Sequence, residues 1–339
     1  MNAIILNEPG SLAMHDVPEP HAPGVGEALI RVHRIGFCGT DYHAFHGRQP
    51  FFNYPRILGH ELGVEVMAIG SGVTNVVVGD KCSIEPYLNC GSCLACRKGR
   101  TNCCSNMQVL GVHLDGGMRE RLVVPATKLH PSKTLSYDAL ALVETLAIGA
   151  HATDRAAVEK GETVVVIGAG PIGLASIQFA LLSGARVVVI DRAVPRLEAC
   201  KELYPEVITL DPEKSFIDQL TELSGGDLAD VGIDATGNLA SMGSSLEYVG
   251  QTGRLVYVGL AQGEVTFNDP LFHRREMSLF ASRNALPRNF TEIIAAMEAG
   301  SIDPLAWITH RCMLSEIPEK LPAWSQPSAG VIKAVVTTA

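Results

Sequence analysis

The segment GETVVVIGAGPIGLASIQFALLSGARVVVIDR, residues 161–192, constrains the fold more than any other stretch. Val164 to Ile167 is a short β-branched run, the mark of a strand buried on both faces. Gly168, Gly170 and Gly173 follow in G-x-G-x-x-G spacing, with Ala169, Pro171 and Ile172 between them. Gly168 allows a tight turn, Gly170 lets the backbone approach a pyrophosphate, and Gly173 lets a helix pack closely on the strand. The helix that opens here presents free N–H groups to phosphates. A second run, Arg186–Ile190, ends at Asp191, 18 residues beyond Gly173. Strand, glycine turn, helix, strand and acid in this order read as a dinucleotide site. A carboxylate at Asp191 accepts from both ribose hydroxyls and repels a 2′-phosphate, so NAD is expected over NADP, with Arg192 as the counterweight.

Val164 to Ala185 is also 22 residues without a charge, enough by count to cross a bilayer. The glycine cluster in its middle breaks it into strand, turn and helix instead. Strand-like runs at Ala229–Asp234 and Arg254–Val258 follow, with Gly237 and Gly259 just after them, where a flat nicotinamide has room. By this count the dinucleotide-binding domain covers 150–284. The stretch Gln251–Val258 is a candidate for pairing across a two-fold axis.

The 339 residues suggest two domains, and a 47% apolar share excludes a disordered chain. With 27 basic against 36 acidic residues and no basic stripe, nothing draws the chain to nucleic acid or an anionic membrane. MNAIILNEPG lacks the basic and apolar regions of a secretory signal, so a cytoplasmic location is expected.

Nine cysteines, an odd number, argue against a disulfide scaffold. Cys90, Cys93, Cys96, Cys103 and Cys104 crowd into CGSCLACRKGRTNCC. Two intervening residues turn each of the first three thiolates toward one point, and Gly91 and Gly99 ease the bends. Cys103 or Cys104 supplies a fourth, since adjacent residues do not easily both reach one ion. Four thiolates with no open position indicate structural zinc, with an iron–sulfur cluster as the rival. The segment has few apolar residues, so a metal would supply its folding energy. Cys200 and Cys312 stand alone and read as small buried hydrophobes.

The N-terminal part is Gly- and Pro-rich. Its strand-like runs at Ala28–His33 and Leu62–Ile69 suggest an irregular β domain. Within it, GFCGTDYHAFHG and GHELG place Cys38 and His60. With a carboxylate from Glu61 or Glu144 they make an S, N, O set, the pattern of a catalytic zinc that keeps a position for water or substrate.

GFCGTDYH, LGHELGVEV, VGDKC, CGSCLACRKGRTNCC, GVHLDGGMRE, VETLAIGAHA and VIGAGPIG occur in this order. Together they resemble the zinc-containing medium-chain alcohol dehydrogenases over nearly the whole chain. The resemblance implies an α/β protein with three segments: a GroES-like β-rich catalytic domain with a structural-zinc lobe at 1–149, a Rossmann doubly wound parallel-sheet domain at 150–284, and a C-terminal return to the catalytic domain at 285–339. It implies two zinc ions per chain. Cys90, Cys93, Cys96 and Cys104 would hold the structural one, and Cys38, His60 and Glu144, with Glu61 as alternate ligand, the catalytic one. NAD contacts are expected at Gly168, Gly170, Pro171, Ile172, Gly173, Asp191, Arg192 and Gly259. Many alcohol dehydrogenases proper carry Cys where this chain has Glu144. The glutamate points to the sorbitol, threonine and sugar-acid branches, where Glu61 and Glu144 trade roles between the metal and its water. A homodimer or homotetramer is implied.

The expected reaction moves a hydride from a secondary alcohol to C4 of the nicotinamide, with the metal as Lewis acid. Thr40 passes the hydroxyl proton and His43 receives it. Asp41 and Arg119 read as ligand-orienting or loop-holding residues. Ser282–Arg283–Asn284 resembles a segment of dehydrogenases that act on sugar acids such as L-galactonate. Arg283, with Asn284 beside it, can pair bidentately with a carboxylate, or else with cofactor phosphates or a carbonyl. Polyol, L-threonine and 2,3-butanediol oxidation stay open. So do a nucleotide-binding protein without activity and a zinc-free reductase, although neither needs Cys38, His60 and Glu144. His46, Phe51, Phe52, His113 and Asp115 are further lining candidates. GVIKAVV, residues 330–336, reads as a closing strand with Lys333 at a rim or in solvent.

Overall fold

Thr163–Ile167 lies inside a six-stranded parallel sheet in the computed structural model, which describes residues 1–338. The strand order is Ile208–Thr209, Arg186–Ile190, Thr163–Ile167, Ala229–Asp234, Val249–Tyr257, Ser278–Ala281. Numbered from the first strand of this unit, that is the 3-2-1-4-5-6 order of a doubly wound dinucleotide fold. Val164, Val165 and Val166 are fully buried, which is why the run carries no polar residue. Each such side chain contributes about 1.5–3 kcal/mol by leaving water. Over Arg254–Tyr257 the fifth strand pairs with Ala229–Asp234 on one side and Ser278–Ala281 on the other. Gln251–Val258 therefore has no open edge there for a partner chain, contrary to the sequence expectation. The sheet's edges are Ile208–Thr209 and Ser278–Ala281.

This sheet belongs to a unit that runs from Leu146 to Ala285. The other unit is discontinuous and joins Met1–Thr145 to the chain from Leu286 onward. Its main sheet has seven strands, in the order Leu129–Ser132, Lys81–Ile84, Glu61–Ile69, Glu27–Gly36, Lys333–Thr337, Ile308–Met313, with Arg121–Pro125 also pairing on Glu27–Gly36. Apolar residues alternate inward along these strands, and Ile30, Val32, Leu62, Val64, Val66 and Ile84 meet in one core. The strand Lys333–Thr337 lies antiparallel to Glu27–Gly36, with Val335 opposite Gly36. Cys200 and Cys312 are buried, as read. Among the described residues, no helix is long and apolar enough to cross a membrane.

Candidate functional site

Two strand ends build the first cluster. Glu27–Gly36 delivers the chain to Cys38, which caps the short helix Gly39–Phe45. Asp41, fully buried in that helix, accepts a hydrogen bond from the Cys38 amide at 3.0 Å and one from the Gly59 amide at 3.4 Å. Gly59 sits at φ +92°, where only glycine is relaxed, and turns the chain into His60 and the strand Glu61–Ile69. Gly36 lies opposite Glu61, and a Cβ there would come within 2.2 Å of the Glu61 carboxylate. The Cys38 sulfur, a His60 ring nitrogen and a Glu61 oxygen all lie within 4.8 Å of one another. Glu144, on the helix Tyr137–Ala156, is buried beside them and accepts a hydrogen bond from the Tyr87 hydroxyl. It stands outside the mutual 4.8 Å set.

Lys333 is the residue the sequence misplaces. It is not at a rim but 1% exposed, in a strand buried on both faces. Its Nζ donates to both Glu61 oxygens at 2.8 Å, to Thr145 Oγ1 at 2.9 Å and to the Phe37 carbonyl at 3.2 Å. Thr145 Oγ1 in turn donates to Glu61 Oε1 at 2.8 Å. Burial works against the ammonium charge, yet the Glu61 and Cys38 charges hold the Lys333 pKa above its ordinary value. Burial likewise disfavours a charged His60, but Asp41 and Cys38 raise its pKa well above the imidazole range. Burial pushes the Asp41 and Glu144 carboxyls up, and His60 pulls both back.

These groups form an S, N, O donor set with the buried acids Asp41 and Glu144 nearby, which fits a divalent cation. His60 Nδ1 is buried without a hydrogen-bond partner and faces Asp41 Oδ1 at 3.7 Å. That suits a histidine whose other nitrogen faces a metal. Thr40 and His43 share the helix that follows Cys38. Burial, Arg48 and His46 lower the His43 pKa, so its imidazole is neutral near pH 7.

The second cluster is the cysteine run. Cys90, Cys93, Cys96 and Cys104 bring their sulfurs within 4.8 Å of one another, whereas Cys103 is exposed and outside the group. Backbone N–H groups stabilise the thiolates. Those of Cys96 and Ser105 draw Cys93 down to about 5, and those of Ser92 and Cys93 draw Cys90 to about 7. Burial and the neighbouring Cys93 push Cys96 to about 11. A tetrahedral zinc with bonds of about 2.3 Å sets sulfurs about 3.8 Å apart, which suits a single ion in this cluster.

In the other unit, Gly168 takes φ +97° and donates to the Ile190 carbonyl at 2.7 Å. A Cβ on Gly173 would lie 1.7 Å from the Gly168 oxygen, so the turn itself demands glycine there. Gly170 differs. A Cβ on it meets only Arg196 Nη1, at 3.7 Å, so its bareness serves nothing within the chain. It caps the helix Pro171–Leu182, with Pro171 and Ile172 in the first turn. This open helix start fits a pyrophosphate. Asp191 ends its strand, accepting from Ala169 N and Ala193 N at 2.8 Å, and Arg192 beside it is exposed. A Cβ on Gly259 would lie 2.1 Å from Gly237 N, so its smallness is used inside the protein. Arg283 is exposed in this unit, and Asn284 follows at φ +52°.

Tyr87, Thr145, Lys333 and Arg196 were not legible as site residues. Of the lining candidates, Phe51 and His113 stack at 6.4 Å, and Asp115 binds Arg56 at 3.2 Å. Arg119 donates to the Asp115 carbonyl at 3.4 Å and holds that loop.

Residues 24–134 match the family model of the alcohol dehydrogenase GroES-like domain, and residues 171–299 that of the zinc-binding dehydrogenases. The chain is 41% identical to an L-galactonate-5-dehydrogenase of Escherichia coli K12, over 99% of both chains. It is 31% identical to a sorbitol dehydrogenase of Bacillus subtilis, over 95% of this chain and 92% of that one. The alcohol dehydrogenase rspB of Escherichia coli CFT073, solved with NADH, superposes with a TM-score of 0.91 at 27% identity, covering 100% of this chain and 99% of that one.

Proposed function

The chain belongs to the zinc-containing medium-chain alcohol dehydrogenases, a family of oxidoreductases, and from that premise we propose that it oxidises a secondary alcohol of a sugar acid such as L-galactonate, reversibly, with NAD as the hydride acceptor. The observation that carries the chemistry is the Cys38–His60–Glu61 cluster. Cys38, His60 and Glu61 would hold a zinc ion, with the buried Glu144 near these ligands. Zinc supplies Lewis acidity there and makes an alcohol proton easier to lose. Asp41 orients His60. Lys333 and Thr145 fix the Glu61 carboxylate. Thr40 passes the hydroxyl proton, and His43, neutral because its pKa is lowered, accepts it. The electron pair of the substrate C–H bond goes to C4 of the nicotinamide, leaving a ketone, NADH and one proton.

Cys90, Cys93, Cys96 and Cys104 hold a second, structural zinc. Asp191 accepts from the adenosine ribose hydroxyls, which favours NAD over NADP. Identity of 41% to an L-galactonate-5-dehydrogenase supports the substrate class. Arg283, with Asn284 beside it, is the group proposed to read the carboxylate. A homodimer or homotetramer in the cytoplasm completes the proposal.

The deciding assay is NADH formation by zinc-loaded enzyme with L-galactonate and with galactitol at matched concentrations. Preference for the acid is expected, and Arg283→Ala should then raise KM for the acid far more than KM for NAD. Preference for galactitol would move the chain to the sorbitol-type reading, which 31% identity to a sorbitol dehydrogenase also supports.

A further inference from the structure

Tyr87 lies at the foot of the cysteine knuckle. With Leu88 it forms a short strand one residue ahead of Cys90, paired to Gln108–Val109, which begins four positions after Cys104, with Tyr87 opposite Val109. This ribbon closes the loop that carries the four cysteines. From here the Tyr87 hydroxyl donates to Glu144. Both side chains are buried, so neither has water as a substitute partner. The ring of Tyr87 meets Phe290 edge-on at 6.3 Å, and Phe290 is stacked on His130 at 5.0 Å.

The segment around Tyr87 is pinned on both sides by polar bonds, buried at Glu85–Lys128 and part-buried at Asn89. Ahead of it, the Glu85 carboxylate takes Lys128 Nζ at 2.5 Å and faces His130 Nε2 at 3.4 Å. Behind it, Asn89 accepts from the same Lys128 Nζ at 2.9 Å and donates to the Cys96 sulfur at 3.7 Å. A line of polar contacts therefore runs from the Cys96 sulfur through Asn89, Lys128 and Glu85 to His130, and ring contacts carry it on through Phe290 to Tyr87.

We propose that Tyr87 is a positioning residue for the active centre: its hydroxyl fixes the Glu144 carboxylate beside the Cys38–His60–Glu61 cluster, and the four-cysteine knuckle fixes Tyr87. The knuckle thus sets the geometry of a site to which it contributes no ligand. This inference rests on the reading of Glu144 as a member of the metal centre.

The test uses holoenzyme and the rate at which a chromophoric chelator removes zinc. Wild type should lose metal in two phases, and Cys38→Ser should lack the one that belongs to the active centre. Removing a hydrogen-bond partner next to a metal site commonly costs about 10- to 100-fold in metal affinity or activity. Tyr87→Phe, which keeps the ring, should speed the active-centre phase by about that factor, leave the knuckle phase alone, and lower kcat more than it raises KM. Asn89→Ala, which cuts the line between Lys128 and Cys96, should shift the same phase in the same direction by a smaller factor. Should Tyr87→Phe fail to fold, Asn89→Ala alone decides the question. Two wild-type phases that neither variant changes would overturn the role of Tyr87 and leave the metal centre standing. A single wild-type phase, from the knuckle alone, would overturn the metal-centre reading and this inference with it.

Discussion

Lys333→Met is the most informative single change in the protein. It removes the ammonium that donates to both Glu61 oxygens, to Thr145 and to the Phe37 carbonyl, and it leaves Glu61 fully buried. The methionine fills much the same volume, so packing loss is a minor part of the effect. Breaking a buried pair from one side costs about 3–5 kcal/mol, because the surviving charge stays out of water. For a unit of this size that is a fall in Tm of about 6–20 °C. The assay is thermal unfolding of metal-depleted protein, where no metal ion stands beside Glu61 to offset the lost ammonium. Zinc-loaded protein should lose less, because a cation beside Glu61 takes over part of the work of Lys333. The double variant Lys333→Met, Glu61→Gln should recover most of the loss, since residue 61 then carries no charge for a lysine to meet. A loss below about 1 kcal/mol in the depleted single variant, or a double variant no better than the single, would refute the argument that Glu61 depends on Lys333.

Gly170→Ala should leave Tm unchanged, because its Cβ meets nothing closer than 3.7 Å, while KM for NAD rises at least tenfold; Gly173→Ala, which would place a Cβ 1.7 Å from the Gly168 oxygen, should lower Tm instead. Asp191→Asn should cut kcat/KM for NAD by about 10- to 150-fold, the loss of one or two hydrogen bonds to a charged acceptor, and narrow the preference over NADP in steady-state kinetics. The acid limb of the kcat profile should reflect His43: with its pKa lowered partly by Arg48, Arg48→Gln should move that limb to higher pH, and His43→Ala should abolish it.

The dinucleotide unit was readable because its signals are local. Arg186–Ile190 and Ala229–Asp234 form the strands read from their apolar runs, and the glycine turn sits between a strand and a helix as its spacing required. The donors Cys38, His60 and Glu61 were also local, two strand ends with recognisable flanks. What the sequence hid is what the tertiary fold supplies. Lys333 binds Glu61 across 272 positions, and Tyr87 binds Glu144 across 57. A lysine in an apolar run reads as solvated because burial of its charge is normally prohibitive. Only the register that sets Val335 against Gly36 brings it to a carboxylate. Gln251–Val258 failed for a related reason: strand propensity says nothing about whether a strand lies at an edge.

The discontinuous unit has a consequence for synthesis. A ribosome that adds about 5–20 residues per second takes about 14–54 s to travel from Glu61 to the lysine that neutralises it, 272 residues later. The intervening unit, Leu146–Ala285, is continuous and emerges complete within that interval. The part of the chain made first is thus finished last. Until Lys333 leaves the ribosome, the Arg34–Gly36 end of the strand Glu27–Gly36 lacks its antiparallel neighbour on that side, and the nascent Glu61 lacks the ammonium that meets both its oxygens.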